Sequence, residues 1–302
     1  MGGLGFDPGG RNGTMCDSDD HIDFIVDSSL TRRSVLVSLS SVAAVTALPA
    51  TAFAASVIET DVMVKTADGA ADAALFRPAG RGYWPAVLLW PDILGLRPVF
   101  REMGRRLAAQ GYVVLVPNPF YRVRRAPIVT GPFDFGDKSA VAKLFALKDG
   151  LTDARVDSDT AAFLAFLDRQ RPVDRSKGFG VQGYCFSGPF AFRAAALSPN
   201  RVRAVATFHG GGLVTSDPSS PHLLIPRTRA RFLVAIARND DQQQPDAKAV
   251  LKASFASAGR SAAVEVFRAD HGWCVAGSPS YNEPEAERAW ARLLQLYRAR
   301  LI

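Results

Sequence analysis

Short apolar runs alternate with stretches of helical spacing along most of this chain, and that alternation limits the folds open to it. Residues 85–90, 112–116, 178–182, 202–208, 230–237 and 262–267 read as strands. Pro85-Ala86-Val87-Leu88-Leu89-Trp90 is apolar without a break, as a strand buried on both faces must be. Helical spacing fills the gaps. It runs over 97–110 through Phe100, Met103 and Leu107 and stops at Gly111. It returns over 152–170, with Ala161, Leu164, Phe166 and Leu167 set inward, and over 189–197, 245–258 and 284–301. Strand and helix in this rhythm predict an α/β fold, a mostly parallel central sheet covered by helices on both faces. Ahead of it, 57–65 and 72–77 alternate enough to predict an antiparallel pair. Residues 118–151 break the rhythm with Pro119, Pro127, Gly131, Pro132 and Gly136. They follow the C-terminal end of a strand, where α/β proteins gather binding loops, and so predict a loop with a short helix at a site mouth.

Gly183-Tyr184-Cys185-Phe186-Ser187-Gly188 lies between the strand at 178–182 and the helical stretch at 189–197. Small residues at a strand–turn–helix junction let the backbone take a strained turn that presents one side chain, the layout of a nucleophile elbow. Here the presented group is sulfur. A thiol needs a base to become a nucleophilic thiolate, and the base needs a carboxylate to orient it. Of the histidines, His271 follows the strand at 262–267, His209 follows the strand at 202–208, and His222 lies in a Pro-flanked loop. His271 is the first candidate base and His209 its rival. Asp240 follows the strand at 230–237 and is the first candidate acid, with Asp241 next. Cys185, Asp240 and His271 come in the chain order nucleophile, acid, base, each after a predicted strand.

The N-terminal 54 residues read as a separate piece. Arg32-Arg33 is followed by an uncharged run that ends in Ala52-Phe53-Ala54, the pattern of a twin-arginine export signal cleaved near Ala54. The run carries Ser34, Ser38, Ser40, Ser41, Thr46, Pro49 and Thr51, too polar for a membrane span, so no stable anchor is expected after cleavage. The Gly- and Asp-rich stretch before the arginines reads as disordered. Residues 55–302 are expected to form one domain in an exported, periplasmic protein. Removing 1–54 leaves 33 basic against 23 acidic residues, a net charge of +10 in place of +7 for the whole chain. The basic residues are scattered, apart from Arg122, Arg124 and Arg125, and no nucleic-acid motif accompanies them. Gly178-Phe179-Gly180-Val181-Gln182-Gly183 spells a dinucleotide fingerprint. It starts inside a strand and has no acid near position 203, so no such cofactor is expected. The spacing of Cys, His and acids shows no metal-ligand cluster, and no metal or other cofactor is expected.

The chain resembles the dienelactone hydrolase family of the α/β-hydrolase superfamily over residues 56–302. The resemblance is carried by Trp90-Pro91-Asp92-Ile93-Leu94-Gly95-Leu96, by Gly111-Tyr112-Val113-Val114-Leu115-Val116-Pro117, by Gly183-Tyr184-Cys185, by the Asp240 loop and by His271-Gly272-Trp273. Tyr281 and Ala289-Trp290 fit as well. It implies an α/β-hydrolase fold, Cys185 as nucleophile, Asp240 as acid, His271 as base, and an oxyanion hole from the N–H groups of Ile93 and Phe186. Asp92 stands where the family often has a glutamate that controls the thiol proton, one methylene shorter. Ser187 stands where the family favours glycine. Val275 stands where well-known members carry an arginine that binds a substrate carboxylate, so a dienelactone-type acid is not carried over residue by residue. Lys138 and Trp273 are the remaining candidates for substrate contact.

The thiol narrows the chemistry further. A thiolate is a better leaving group than an alkoxide, so a tetrahedral adduct from a plain alkyl ester falls back while one from an enol or aryl ester goes forward. The expected activity is hydrolysis of an activated ester or lactone by a monomer, through an acyl-cysteine. Two other classes remain open at this point. One is a thiol-redox protein using Cys185 and Cys274, although Cys274 reads first as a small buried apolar residue. The other is a catalytically silent binding module on the same fold.

Overall fold

The computed structural model describes residues 56–302, which belong to one compact unit. The export signal read at residues 1–54 lies outside the described residues. The strands are β1 (Val57–Thr66), β2 (Gly69–Pro78), β3 (Ala86–Trp90), β4 (Val113–Pro117), β5 (Phe179–Tyr184), β6 (Val202–Phe208), β7 (Arg231–Ile236) and β8 (Ala262–Val266). The helices are α1 (Pro98–Ala108), α2 (Lys138–Asp149), α3 (Asp153–Asp168), α4 (Gly188–Leu197), α5 (Arg238–Gln243), α6 (Ala247–Ser257) and α7 (Glu283–Leu301). They build one 8-stranded sheet in the order β1-β2-β4-β3-β5-β6-β7-β8. The β1–β2 and β2–β4 pairs are antiparallel, and every pair from β4 through β8 is parallel. The expected antiparallel lead-in and parallel body are therefore both present.

Period-2 alternation divides the core into two layers. Ala86, Leu88 and Trp90 of β3 face a layer built with Phe163 and Leu167 of α3 and Phe190 and Phe192 of α4. Val87 and Leu89 face the other, with Phe100 and Leu107 of α1 and Leu293 and Tyr297 of α7. Each such Leu or Phe, fully buried, contributes about 1.5–3 kcal/mol by its removal from water. Helix α7 starts cleanly because the Asn282 side chain accepts from the Glu285 N–H at 3.1 Å and Pro284 occupies the first turn. The glycines of the dinucleotide-like stretch serve packing. A Cβ on Gly180 would come within 3.0 Å of Tyr297 and Leu301, so glycine here lets α7 lie close on the sheet.

Helix α3 buries Leu164 and Leu167 as expected, but not Ala161. Ala161 is exposed, and the buried side is Val156, Asp159, Thr160, Phe163, Leu164 and Leu167, with Phe166 half-buried. The same face carries Asp159, a carboxylate at a core position. The Arg122 guanidinium donates to both of its oxygens at 2.7 and 2.8 Å, and the Tyr121 hydroxyl donates at 2.8 Å. A fully paired carboxylate can sit inside, so an apolar pattern alone does not reveal it. The same pairs pin the start of the 118–151 insert to α3 and, through the 2.7 Å contact of Tyr121 with Thr66, to β1. Among the described residues, no helix is long and apolar enough to cross a membrane.

Candidate active site

Cys185 takes the strained turn expected of it, with φ at 56°, in the left-handed region that residues other than glycine rarely adopt. Two neighbours make the turn possible. A Cβ on Gly183 would lie 2.2 Å from the Ser187 carbonyl oxygen, so position 183 admits glycine alone. The Ser187 hydroxyl accepts from the Tyr184 N–H at 2.9 Å, and its one proton is within reach of two acceptors, the Tyr184 carbonyl at 2.9 Å and the Trp90 carbonyl at 3.1 Å at the end of β3. The serine that replaces the family's glycine thus ties the elbow to the neighbouring strand. After a single 3₁₀ turn the chain enters α4.

His271 follows β8, and Asp240 lies in the first turn of α5, directly after β7. Parallel strands bring these ends to one edge of the sheet. His271 Nδ1 is 2.8 Å from Asp240 Oδ2 and 3.0 Å from Oδ1. The His271 N–H donates to the Asn239 side-chain oxygen at 2.8 Å, and Arg238 pairs with Asp270 at 2.9 Å, so the two loops are stitched together on either side of the pair. Asp241 accepts from Lys248 instead, at 2.7 Å, and takes no part. With Nδ1 committed to Asp240, Nε2 is left for Cys185. Burial alone would lower the basicity of His271. Its interactions with Asp240 and with the Cys185 sulfur outweigh that and push it up to about 10.

His209 belongs to the same cluster. It is 1 % exposed, and neither ring nitrogen has a hydrogen-bond partner. Its ring lies 4.6 Å from that of His271 and 5.3 Å, edge to face, from Trp273. Burial and the neighbouring His271 hold its basicity well below the usual histidine value, so it is a neutral imidazole. Donor atoms of Cys185, His209 and His271 lie within 4.8 Å of one another. The sequence spacing shows no ligand cluster, yet the parallel strand ends assemble one. His222 pairs with Ser220 Oγ at 2.8 Å, away from this group.

A cavity of about 670 Å³ opens over Cys185, His209 and His271. Its walls include Ile93, Val129, Phe133, Phe135, Phe145 and Val275, so the 118–151 insert does line the mouth. Arg97 also reaches it, but its guanidinium clasps both oxygens of Asp92, with one contact at 2.9 Å, and the Leu94 N–H adds a bond to the same carboxylate at 3.0 Å. Asp92 is therefore engaged by a partner that its sequence context did not announce. Among the described residues, the Ile93 N–H meets no protein acceptor. The Phe186 ring is buried and stacks on Phe120, while its N–H follows the elbow. Lys138, the first residue of α2, is not among the cavity residues. Trp273 is fully buried and stacked on Phe267, so it props His209 from behind and offers no surface to a ligand. Cys185 and Cys274 are both free thiols. Cys274 faces the opposite core layer and a separate groove beside Tyr184 and Trp290, and burial raises its thiol well above the usual value.

The dienelactone hydrolase family model matches residues 71–301. The chain is 28% identical over 240 residues to a candidate carboxymethylenebutenolidase of Synechocystis sp., covering 75% of this chain and 91% of that protein. It is 28% identical over 220 residues to a carboxymethylenebutenolidase of a Pseudomonas species, covering 72% and 85%. In fold it is similar to the crystal structure of a candidate dienelactone hydrolase from Klebsiella pneumoniae, with a TM-score of 0.70 at 22% identity over 80% of this chain and 99% of the other.

Proposed function

The chain belongs to the dienelactone hydrolase family and is a carboxylic ester or lactone hydrolase of α/β-hydrolase fold, and from that premise we propose a mechanism through Cys185, His271 and Asp240 with an acyl-cysteine intermediate. The observation that carries it is the continuous path from Cys185 to His271 to the Asp240 carboxylate at the floor of one cavity. The Cys185 thiolate attacks the ester carbonyl while His271 holds the proton. The N–H groups of Ile93 and Phe186 donate to the oxyanion as charge develops on it. His271 then hands its proton to the departing oxygen, and the acyl group stays on sulfur. In the second half His271 takes a proton from water, hydroxide character attacks the thioester, and the acid leaves. Asp240 keeps the proton on Nδ1 and stabilises the imidazolium each time it forms.

Two features favour neutral, apolar activated esters within that class. The cavity walls away from Cys185, His209 and His271 are mostly aliphatic and aromatic, and the one guanidinium that reaches them is already neutralised by Asp92. The sulfur chemistry favours enol and aryl leaving groups, as argued above. A thiol-redox role for Cys185 and Cys274 has less support, because the two thiols face different core layers and different cavities. The test is Cys185→Ala: turnover of an aryl ester should vanish while the circular dichroism spectrum is kept. Undiminished turnover in a folded variant would overturn the mechanism.

A further inference from the structure

Hydrolysis as described uses one histidine, yet two imidazoles face the thiol. His209 has no task in it, and its ring is buried with both nitrogens unpartnered. Buried polar atoms without partners are exceptions in folded proteins and ask for an unrecorded one. We propose that Cys185, His209 and His271 form a binding site for a thiophilic divalent cation of the zinc class.

The donor atoms already lie within 4.8 Å of one another. A tetrahedral zinc with bonds of about 2.0–2.3 Å needs donors roughly 3.3–3.8 Å apart, within reach of small side-chain rotations. One sulfur and two imidazoles suit zinc, cobalt or copper. Magnesium and calcium prefer oxygen ligands, which this set does not offer. His271 is pre-arranged as a ligand, because its Nδ1 is held by Asp240 and its Nε2 is turned toward the Cys185 sulfur, where a cation would displace the proton the two share, the carboxylate–histidine–metal arrangement of many zinc sites. All three ligands line the cavity, so the fourth position opens onto it and accepts water or a small anion. The cation and an acyl group compete for the same sulfur. Bound metal therefore silences hydrolysis reversibly and shields the thiol from alkylation and oxidation. The site stands on its donor set and does not require Cys185 to be the nucleophile.

Cobalt(II) titration of the reduced, chelator-free protein tests this. The expected result is one cobalt per chain with a thiolate-to-cobalt charge-transfer band in the near ultraviolet, displaced by equimolar zinc. His209→Gln should weaken binding by at least about 100-fold, since it removes a direct ligand, and Cys185→Ser should remove the band. Zinc, and not magnesium, should slow iodoacetamide alkylation of Cys185, with recovery on adding EDTA. Wild-type affinity in a folded His209→Gln variant, or absence of the band in the wild type, overturns the site. Should His209→Gln misfold, X-ray absorption of the wild-type zinc form decides. One sulfur and two imidazoles support the site, and a shell with fewer than two imidazoles overturns it. Loss of hydrolysis in Cys185→Ala bears on the mechanism alone, so the two readings fail separately.

Discussion

Asp240 holds His271 through both carboxylate oxygens, at 2.8 and 3.0 Å from the same ring nitrogen. That contact fixes the tautomer. Asp240→Asn keeps the shape but presents an amide that can donate to Nδ1, turning the ring's proton the wrong way. The expected loss in kcat for an aryl ester is on the order of 10³–10⁴-fold, with a near-normal KM, read from steady-state kinetics.

The raised basicity of His271 sets a pH dependence on stability. Its value in the fold, about 10, lies above its unfolded value of about 6.5. A group raised in this way stabilises the fold fully below its unfolded value, and the contribution is lost as pH rises through its folded value. Urea unfolding of the wild type and His271→Gln should therefore show the wild-type advantage shrinking from about pH 6.5 to about pH 10. An advantage that grows over that range would contradict the assignment.

Gly183 tests the elbow. A methyl group there meets the Ser187 carbonyl oxygen at 2.2 Å, and that atom belongs to backbone that cannot turn aside. Gly183→Ala should cost about 1–3 kcal/mol in chemical denaturation and should depress turnover even where the variant is folded.

Much of this site was legible from the chain. Cys185 could be placed because glycine on one side and a helix on the other leave few conformations for the turn. Asp240 and His271 could be placed because parallel strands deliver their C-terminal ends to one edge. What could not be read were contacts made by charge across sequence. Arg97 closes on Asp92 from the far side of a loop, which converts a candidate proton holder into half of an ion pair. Asp159 sits on the buried face of α3, beside Val156, Phe163, Leu164 and Leu167, because Arg122 pairs with it there, and an apolar pattern does not announce a carboxylate at that position. His209 read as a rival base. In space it stands beside His271 with the Trp273 ring against it, and only the fold reveals that its nitrogens lack partners. Trp273 itself read as a candidate for substrate contact, yet the loop turns it into the core.

The cavity walls lead to a substrate prediction. A neutral aryl ester and a matched ester bearing a carboxylate on its acyl chain should differ in kcat/KM by at least about tenfold in favour of the neutral one. Placing an unpaired carboxylate against apolar walls costs more than about 1.4 kcal/mol, and the nearby guanidinium of Arg97 is already occupied. Equal rates for the pair would show that a cation reaches the substrate.

The central claim is that the acyl group passes through sulfur. Rapid acid quench during turnover of an activated aryl ester, followed by mass spectrometry of the intact chain and of its peptides, measures this directly. The account predicts a transient mass increase equal to the acyl group, located on Cys185, that decays as acid is released and is absent from Cys185→Ala together with turnover. Steady hydrolysis by a folded Cys185→Ala variant, or turnover with no acyl mass on Cys185 under conditions where release is slow, would contradict it.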